Sequence, residues 1–176
     1  MACNRPVLES VLERCRAGGE GFDCFAEGGR HRLQLYGALP RAWAGNLGLQ
    51  CFASRIDIES ADAMRISSNR WAASFVLNLA GADASAVRSD FMMMARREPR
   101  IVPVLADPDI EVAVVEDQSG SVLASVTGKD STGLLAEVLR RFESFGLSPR
   151  RFSLRSEAGL VNDWFWLDLP TTSISE

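Results

Sequence analysis

Apolar residues recur along the chain in two periods, and these periods predict its helices and strands. Spacing of three and four, as in Val7, Leu8, Val11 and Leu12, indicates amphipathic helices, whereas strict alternation indicates half-buried strands. Helices are predicted over residues 4–16, 40–54, 84–97 and 131–145. Strands are predicted over 22–26, 32–37, 56–66, 70–79, 111–117, 121–127, 148–156 and 159–169, with a further edge strand over 101–105.

The second half of this pattern repeats the first. Gly37 and Gly128 lie 91 residues apart, as do the segments 22–25 and 113–116, and Phe75 and Phe165 lie 90 apart. Each half runs helix, strand, strand, helix, strand, strand, and a repeat of this length predicts a module used twice. We therefore expect modules over residues 1–82 and 83–176, with the proline-containing stretch 98–109 as a linker-like loop.

The order of elements in each half is a circular permutation of βαββαβ. It predicts an α+β fold of two ferredoxin-like modules, each an antiparallel four-stranded sheet with its helices on one face. Two arrangements are open: each module is complete by itself, or the N-terminal helix and strand complete the sheet of the second module. The helix over 40–54 has a second apolar side at Leu49 and Phe52, which we expect to contact the other half or another subunit.

The segment GKDSTGLLAEVLRRFESFGL, followed by RRFSLRSEAGLVNDWFWLDL, resembles the ACT domain family. Asp130, Gly146, Asp163 and Phe165 stand at positions of that family's pattern, together with the Gly-Leu-Leu run at 133–135. The resemblance implies a stand-alone tandem ACT protein that binds an amino acid where two modules meet. The site that it implies is the first strand–helix loop: Asp130, Ser131, Thr132, Gly133, Leu134 and Leu135.

The residue chemistry of that loop agrees with the implied site. Gly133 permits close approach of the backbone to a ligand, and the start of a helix favours a carboxylate. Asp130 has two interpretations, since it can accept a ligand ammonium or simply cap the helix. In the first half Leu39, Pro40 and Arg41 replace the polar residues, so that loop is expected to lack ligand contacts.

Composition narrows the function further. The net charge of −4 argues against a nucleic-acid partner, and the absence of long apolar runs and of a signal peptide predicts a cytoplasmic protein without a membrane partner. No GxSxG, P-loop or HExxH motif is present, so we expect no enzyme and no cofactor. The four cysteines and single His31 lack metal-ligand spacing, which predicts reduced thiols and no metal site.

The sequence thus favours a non-enzymatic regulatory protein that binds a small-molecule effector, an amino acid, at an interface between ACT-like modules. The alternative is a protein-interaction or structural module that has lost ligand binding. Expected partners are an amino acid, a regulated enzyme, and a second copy that docks through sheet or helix faces. Trp164 and Trp166 alternate with Phe165 and Leu167, which predicts large aromatic rings on the sheet face away from the helices.

Overall fold

The computed structural model describes residues 5–82, 89–99, 109–116, 122–131 and 133–169. Over these residues the chain is α+β, with helices packed on an eight-stranded antiparallel sheet. Its elements are α1 (Arg5–Arg16), β1 (Gly21–Glu27), β2 (Arg30–Ala38), α2 (Trp43–Ala53), β3 (Asp57–Arg65), β4 (Arg70–Asn78), α3 (Phe91–Arg96), β5 (Ile110–Glu116), β6 (Val122–Lys129), α4 (Leu134–Ser144), β7 (Ser148–Glu157) and β8 (Leu160–Asp168).

Most of these bounds agree with the prediction to within a few residues. The main difference is α3, which begins at Phe91, while residues 84–88 of the predicted helix lie outside the described part. The predicted edge strand over 101–105 also lies outside it. None of the helices in the described ranges combines the length and apolar character that crossing a bilayer requires.

The strand order is symmetric about the middle of the sheet. It runs β1-β2-β4-β3-β7-β8-β6-β5, so β1-β2-β4-β3 counted from one edge matches β5-β6-β8-β7 counted from the other. Elements α1 to β4 form a first half, and β5 to β8, with α4, form a second half. The halves join through β3 and β7, where Asp62 lies opposite Ser153. An approximate twofold axis therefore passes through the middle of the sheet.

The registers of the two halves correspond as the sequence repeat predicts, with one correction. Leu33 pairs with Phe75 in the first half, and Ala124 pairs with Phe165 in the second. However, Cys24 lies opposite Leu33 and Val114 lies opposite Ala124, so β5 corresponds to β1 at a separation of 90 residues rather than 91. The two hairpins differ by one residue, because Cys24 and Leu33 lie nine positions apart along the chain and Val114 and Ala124 lie ten apart.

The prediction that all helices lie on one face of the sheet was wrong. Helices α2, α3 and α4 cover the face that carries Leu33 and Leu35 and enclose one core running through both halves. Helix α1 packs on the opposite face, against Tyr36 of β2 and Ala72 of β4. The physical reason is that β2 and β4 carry buried apolar side chains on both faces, and α1 covers the second set.

Helix α3 packs on elements of the first half. It contacts α2 and β1, and the ring of Phe91 meets that of Phe22 edge-on at 5.9 Å. The polar side of α2 holds it in place, since Asn46 donates to the carbonyl of Ala95 and Gln50 to that of Met94. The module boundaries at 1–82 and 83–176 stay a prediction.

Gly37 and Gly128 mark the repeat because both hold a backbone that L residues rarely adopt. Their φ angles are +129° and +151°, and a Cβ added at Gly128 would lie 2.4 Å from the carbonyl oxygen of Asp109. We expect Gly128→Ala to lower the free energy of unfolding by about 1–3 kcal/mol, measured by urea denaturation.

Gly45 supplies the matched control for that substitution. It lies in α2, and an added Cβ there would meet nothing within 4 Å. Gly45→Ala should therefore raise the free energy of unfolding by up to about 1 kcal/mol, because alanine favours the helix. Equal effects of the two changes would contradict the steric explanation for Gly128.

Candidate functional site

Helices α2 and α4 meet over the central strands, and this contact joins the two halves. Gly48 lies at this contact, where an added Cβ would come to 3.6 Å from the backbone nitrogen of Ala136. The second apolar side of α2 was expected to contact the other half, and the half-buried Leu49 and Phe52 both face clefts that second-half residues also line. These two clefts correspond to each other under the approximate twofold axis.

The first, here called the narrow cleft, contains the predicted site loop. Asp130, Ser131 and the segment 133–135 line it, while Thr132 lies outside the described residues. The opposite wall comes from the first half, from Gly48, Cys51 and Phe52 of α2 and from residues 56–59. The structure thus brings the predicted residues against the other half, but around a volume of only about 50 Å³, room for a few water molecules.

Asp130 does not cap helix α4. The N-cap position belongs to Gly133, which has a left-handed φ of 87° and offers no side chain. The Asp130 carboxylate instead accepts a hydrogen bond from the Ser156 hydroxyl, and its backbone N–H donates to the Gly159 carbonyl at 2.8 Å. The capping interpretation was therefore wrong, whereas the role in binding a ligand stays a prediction.

The narrow cleft is lined by more acidic than basic groups: four carboxylates, of Asp57, Glu59, Asp130 and Asp163, and one arginine, Arg155. Burial, with a smaller contribution from the neighbouring Asp130, raises the pKa of Asp163 to about 7, although a hydrogen bond from the Arg155 N–H at 3.0 Å acts in the opposite direction. Burial also raises the pKa of Asp57, with smaller contributions from Asp130 and Glu59. The cleft therefore favours a proton or a cationic group.

Asp163 stands at a position of the ACT pattern but was not among the predicted site residues. Its position on β8 could have indicated its burial, because it alternates with Asn162 and Trp164 and shares a face with Val161 and Phe165. A carboxylate in a buried row of apolar side chains is the sequence signal that was overlooked.

The second, here called the aromatic cleft, has a volume of about 560 Å³. Its base holds three buried aromatic rings: the Trp43 ring lies 5.4 Å from that of Trp71 and 5.9 Å from that of Phe152. Apolar side chains of both halves form its walls, among them Leu49, Leu139, Leu147 and Pro149. A pocket of this size and lining is typical of a small-molecule site.

Charged groups stand around the aromatic cleft. Arg41 lines it next to the start of α2, whose N-cap residue Ala42 makes no side-chain hydrogen bond. Across the cleft, Glu137 accepts hydrogen bonds at 2.8 Å from both Arg140 and Arg141, and the Arg140 guanidinium in particular lowers the pKa of Glu137. One end therefore offers the Arg41 guanidinium and the N–H groups of Ala44 and Gly45 to an anion, while the Trp43 N–H donates to the Pro40 carbonyl at 3.1 Å.

Sequence reasoning missed this cleft because it judged each loop by its similarity to the ACT pattern. The loop at 39–42 departs from that pattern, yet it borders the larger volume. The available signal was Gly45, which lacks a Cβ and leaves open space on α2 two residues after Trp43.

The three cysteines of the described ranges, Cys15, Cys24 and Cys51, are free thiols. Cys51 lines the narrow cleft, but burial raises the pKa of its thiol to about 12, which makes it a poor nucleophile at neutral pH. No group of three or more His, Cys, Asp or Glu side chains in the described ranges is placed to hold a metal ion.

Comparisons with protein-family models, with curated proteins and with solved structures found no match to this chain. The functional argument therefore depends on the geometry of the two clefts.

Proposed function

We propose that the protein is a non-enzymatic regulator that binds an amino acid with a large apolar side chain in the aromatic cleft. The observation that carries the proposal is the combination of about 560 Å³, three aromatic rings and an uncapped helix start at a contact between the halves. The rings accommodate an apolar side chain, while Arg41 and the N–H groups of α2 attract a carboxylate.

The finer description of the fold belongs to this proposal. We infer that each half is a circularly permuted ferredoxin-like module of ACT type, supported by the palindromic strand order and by the matching registers of Phe75 and Phe165. In this arrangement the two clefts are equivalent positions, each bordered by a strand–helix loop of one half and by the helix of the other. The narrow cleft, with Asp130 to Leu135, is then a second and smaller position for a ligand.

Regulation would follow from where the ligand lies. A molecule held between α2 and α4 stabilises one packing of the halves over others, and a partner such as an enzyme can respond to that packing. Binding then needs no covalent chemistry. A homodimer that docks through sheet or helix faces stays a prediction.

The proposal is tested by thermal denaturation in the presence of each of the twenty amino acids. We expect tryptophan, phenylalanine or leucine to raise the melting temperature, and a ligand at a hundredfold its Kd stabilises by about 2.7 kcal/mol. Gly45→Leu should abolish this shift, because its side chain would enter the open space of the cleft. Gly45→Ala, which adds a single methyl group, should preserve it.

A third variant separates the two clefts. Asp130→Asn removes a charge from the narrow cleft and leaves the aromatic cleft unchanged. A shift that survives Gly45→Leu but disappears in Asp130→Asn would place the ligand in the narrow cleft and overturn the assignment to the aromatic one.

A protein-interaction module without a ligand is the second candidate function. It is favoured by the small volume of the narrow cleft and by the apolar edge strand β5, where Val112, Val114 and Val115 are at least half exposed. The absence of a shift with all twenty amino acids would support it, together with capture of a partner whose binding no amino acid alters.

A further inference from the structure

A third cavity lies at the centre of the sheet, on the face opposite α2 and α4. Its volume is about 260 Å³, and its lining is mostly polar: Arg32 of β2, Ser60 and Asp62 of β3, Ser74 of β4 and Arg155 of β7, with apolar contributions from Leu8 and Val76. Asp62 lies at the approximate twofold axis, so both halves contribute to this central polar pocket.

Asp62 is buried, and only one of its carboxylate oxygens is satisfied. The residue is 7% exposed, and its Oδ2 accepts a hydrogen bond from Arg155 at 2.7 Å. Oδ1 is shielded from solvent and has no hydrogen-bond partner among the described residues. A buried carboxylate oxygen without a donor is costly, and Oδ2 has a further lone pair with which it can accept a donor from a molecule in the pocket.

The two guanidinium groups retain donor capacity. Arg32 is 8% exposed and directs three N–H groups to Glu27 and to the Ser74 hydroxyl. Arg155 directs three to the carbonyls of Ala61 and Leu154 and to Asp62. A guanidinium carries five N–H donors, so each of these arginines keeps two that meet no acceptor among the described residues.

The pocket is therefore complementary to a small molecule that carries both charges. A simple anion would satisfy the arginines but would lie beside Asp62, and a simple cation would satisfy Asp62 but leave the guanidinium donors unpaired. We propose that the central polar pocket binds a small α-amino-acid zwitterion, with its carboxylate on Arg32 and Arg155 and its ammonium on Asp62. The site is separate from the aromatic cleft and does not depend on the function proposed for it.

The test uses glycine, L-alanine and L-serine as probes, with acetate and ethylammonium as single-charge controls. In ¹H–¹⁵N spectra we expect the zwitterions at millimolar concentration to shift the amide signals of Ser60 and Ser74, while the Trp43 indole signal stays unchanged. Acetate and ethylammonium should produce shifts at least tenfold weaker at equal concentration. Equal shifts with acetate alone, or no shift with any zwitterion at 50 mM, would overturn the proposal.

Variants provide a second measurement. Asp62→Asn should weaken zwitterion binding at least tenfold, because it removes the charge that faces the ammonium, and Arg155→Lys should weaken it by loss of the planar fork. Asp168→Asn is the matched control, since Asp168 also forms an ion pair across the halves, with Arg65, but lies outside the pocket. Unchanged affinity in both pocket variants would overturn the assignment, and the wild-type spectra decide the matter should Asp62→Asn fail to fold.

Gly45→Leu should bind these zwitterions normally, so failure of the aromatic-cleft proposal is distinguishable from failure of this one.

Discussion

Replacing Phe152 with alanine is expected to lower the free energy of unfolding by about 3–5 kcal/mol. Phe152 is fully buried on β7, and its ring lies within 6.4 Å of the rings of Trp43, Trp71 and Phe165, which come from both halves. The substitution therefore removes the side chain that joins the aromatic groups of the two halves, and it leaves a cavity beside the aromatic cleft. Urea denaturation followed by circular dichroism measures the change.

Phe145→Ala is the matched control for this change. Phe145 ends α4 and is 74% exposed, so its removal should alter the free energy of unfolding by about 0.5 kcal/mol or less. Because one core runs through both halves, both variants should unfold in a single transition. A loss below about 1 kcal/mol for Phe152→Ala, or two separate transitions, would contradict the shared core.

Asp163→Asn is expected to stabilise the protein at pH 8, by as much as about 4 kcal/mol. The pKa of Asp163 is raised from 3.8 to about 7 in the folded state, so the folded protein holds a proton there that the unfolded chain has released. The contribution of the Asp163 proton to the stability of the wild type is therefore fully present below about pH 4, falls as the pH rises towards 7, and is then lost. Asparagine cannot ionise, yet it still accepts the hydrogen bond from the Arg155 N–H.

The measurement is the free energy of unfolding of wild type and variant from pH 4 to pH 8. The difference between them should be small at pH 4 and should grow until about pH 7. Glu157→Gln is the control, because Glu157 is an exposed carboxylate at the end of the same hairpin and should show no such growth. A constant difference across the pH range would show that Asp163 does not titrate near neutrality.

Local patterns in the sequence predicted most elements because each pattern reflects burial on one side. The alternation of buried Val161, Phe165 and Leu167 with more accessible neighbours marks β8, and Gly146 ends α4 with a φ of 72°. The repeat added the correspondence of the halves, since Gly37 and Gly128 need the same unusual backbone.

The candidate site was predicted less completely. The loop from Asp130 to Leu135 does face the other half, but its cleft holds only about 50 Å³, and the larger volume lies beside the loop at 39–42. A cleft volume depends on how far two packed helices stand apart, which local sequence does not encode. The role assigned to Asp130 shows the same limit, because Ser156, a residue distant in sequence, competes for the carboxylate that could have capped α4.

The sequence by itself determined the α+β class, the positions of most elements and the internal repeat, because the periodicity of a helix or a strand depends only on residues close together in the chain. Only the tertiary structure decided that β3 and β7 join the halves into one sheet, that α1 covers the opposite face, and that Arg32, Asp62 and Arg155 surround one cavity. These features depend on which edges and faces meet, and such contacts join residues that are far apart along the chain.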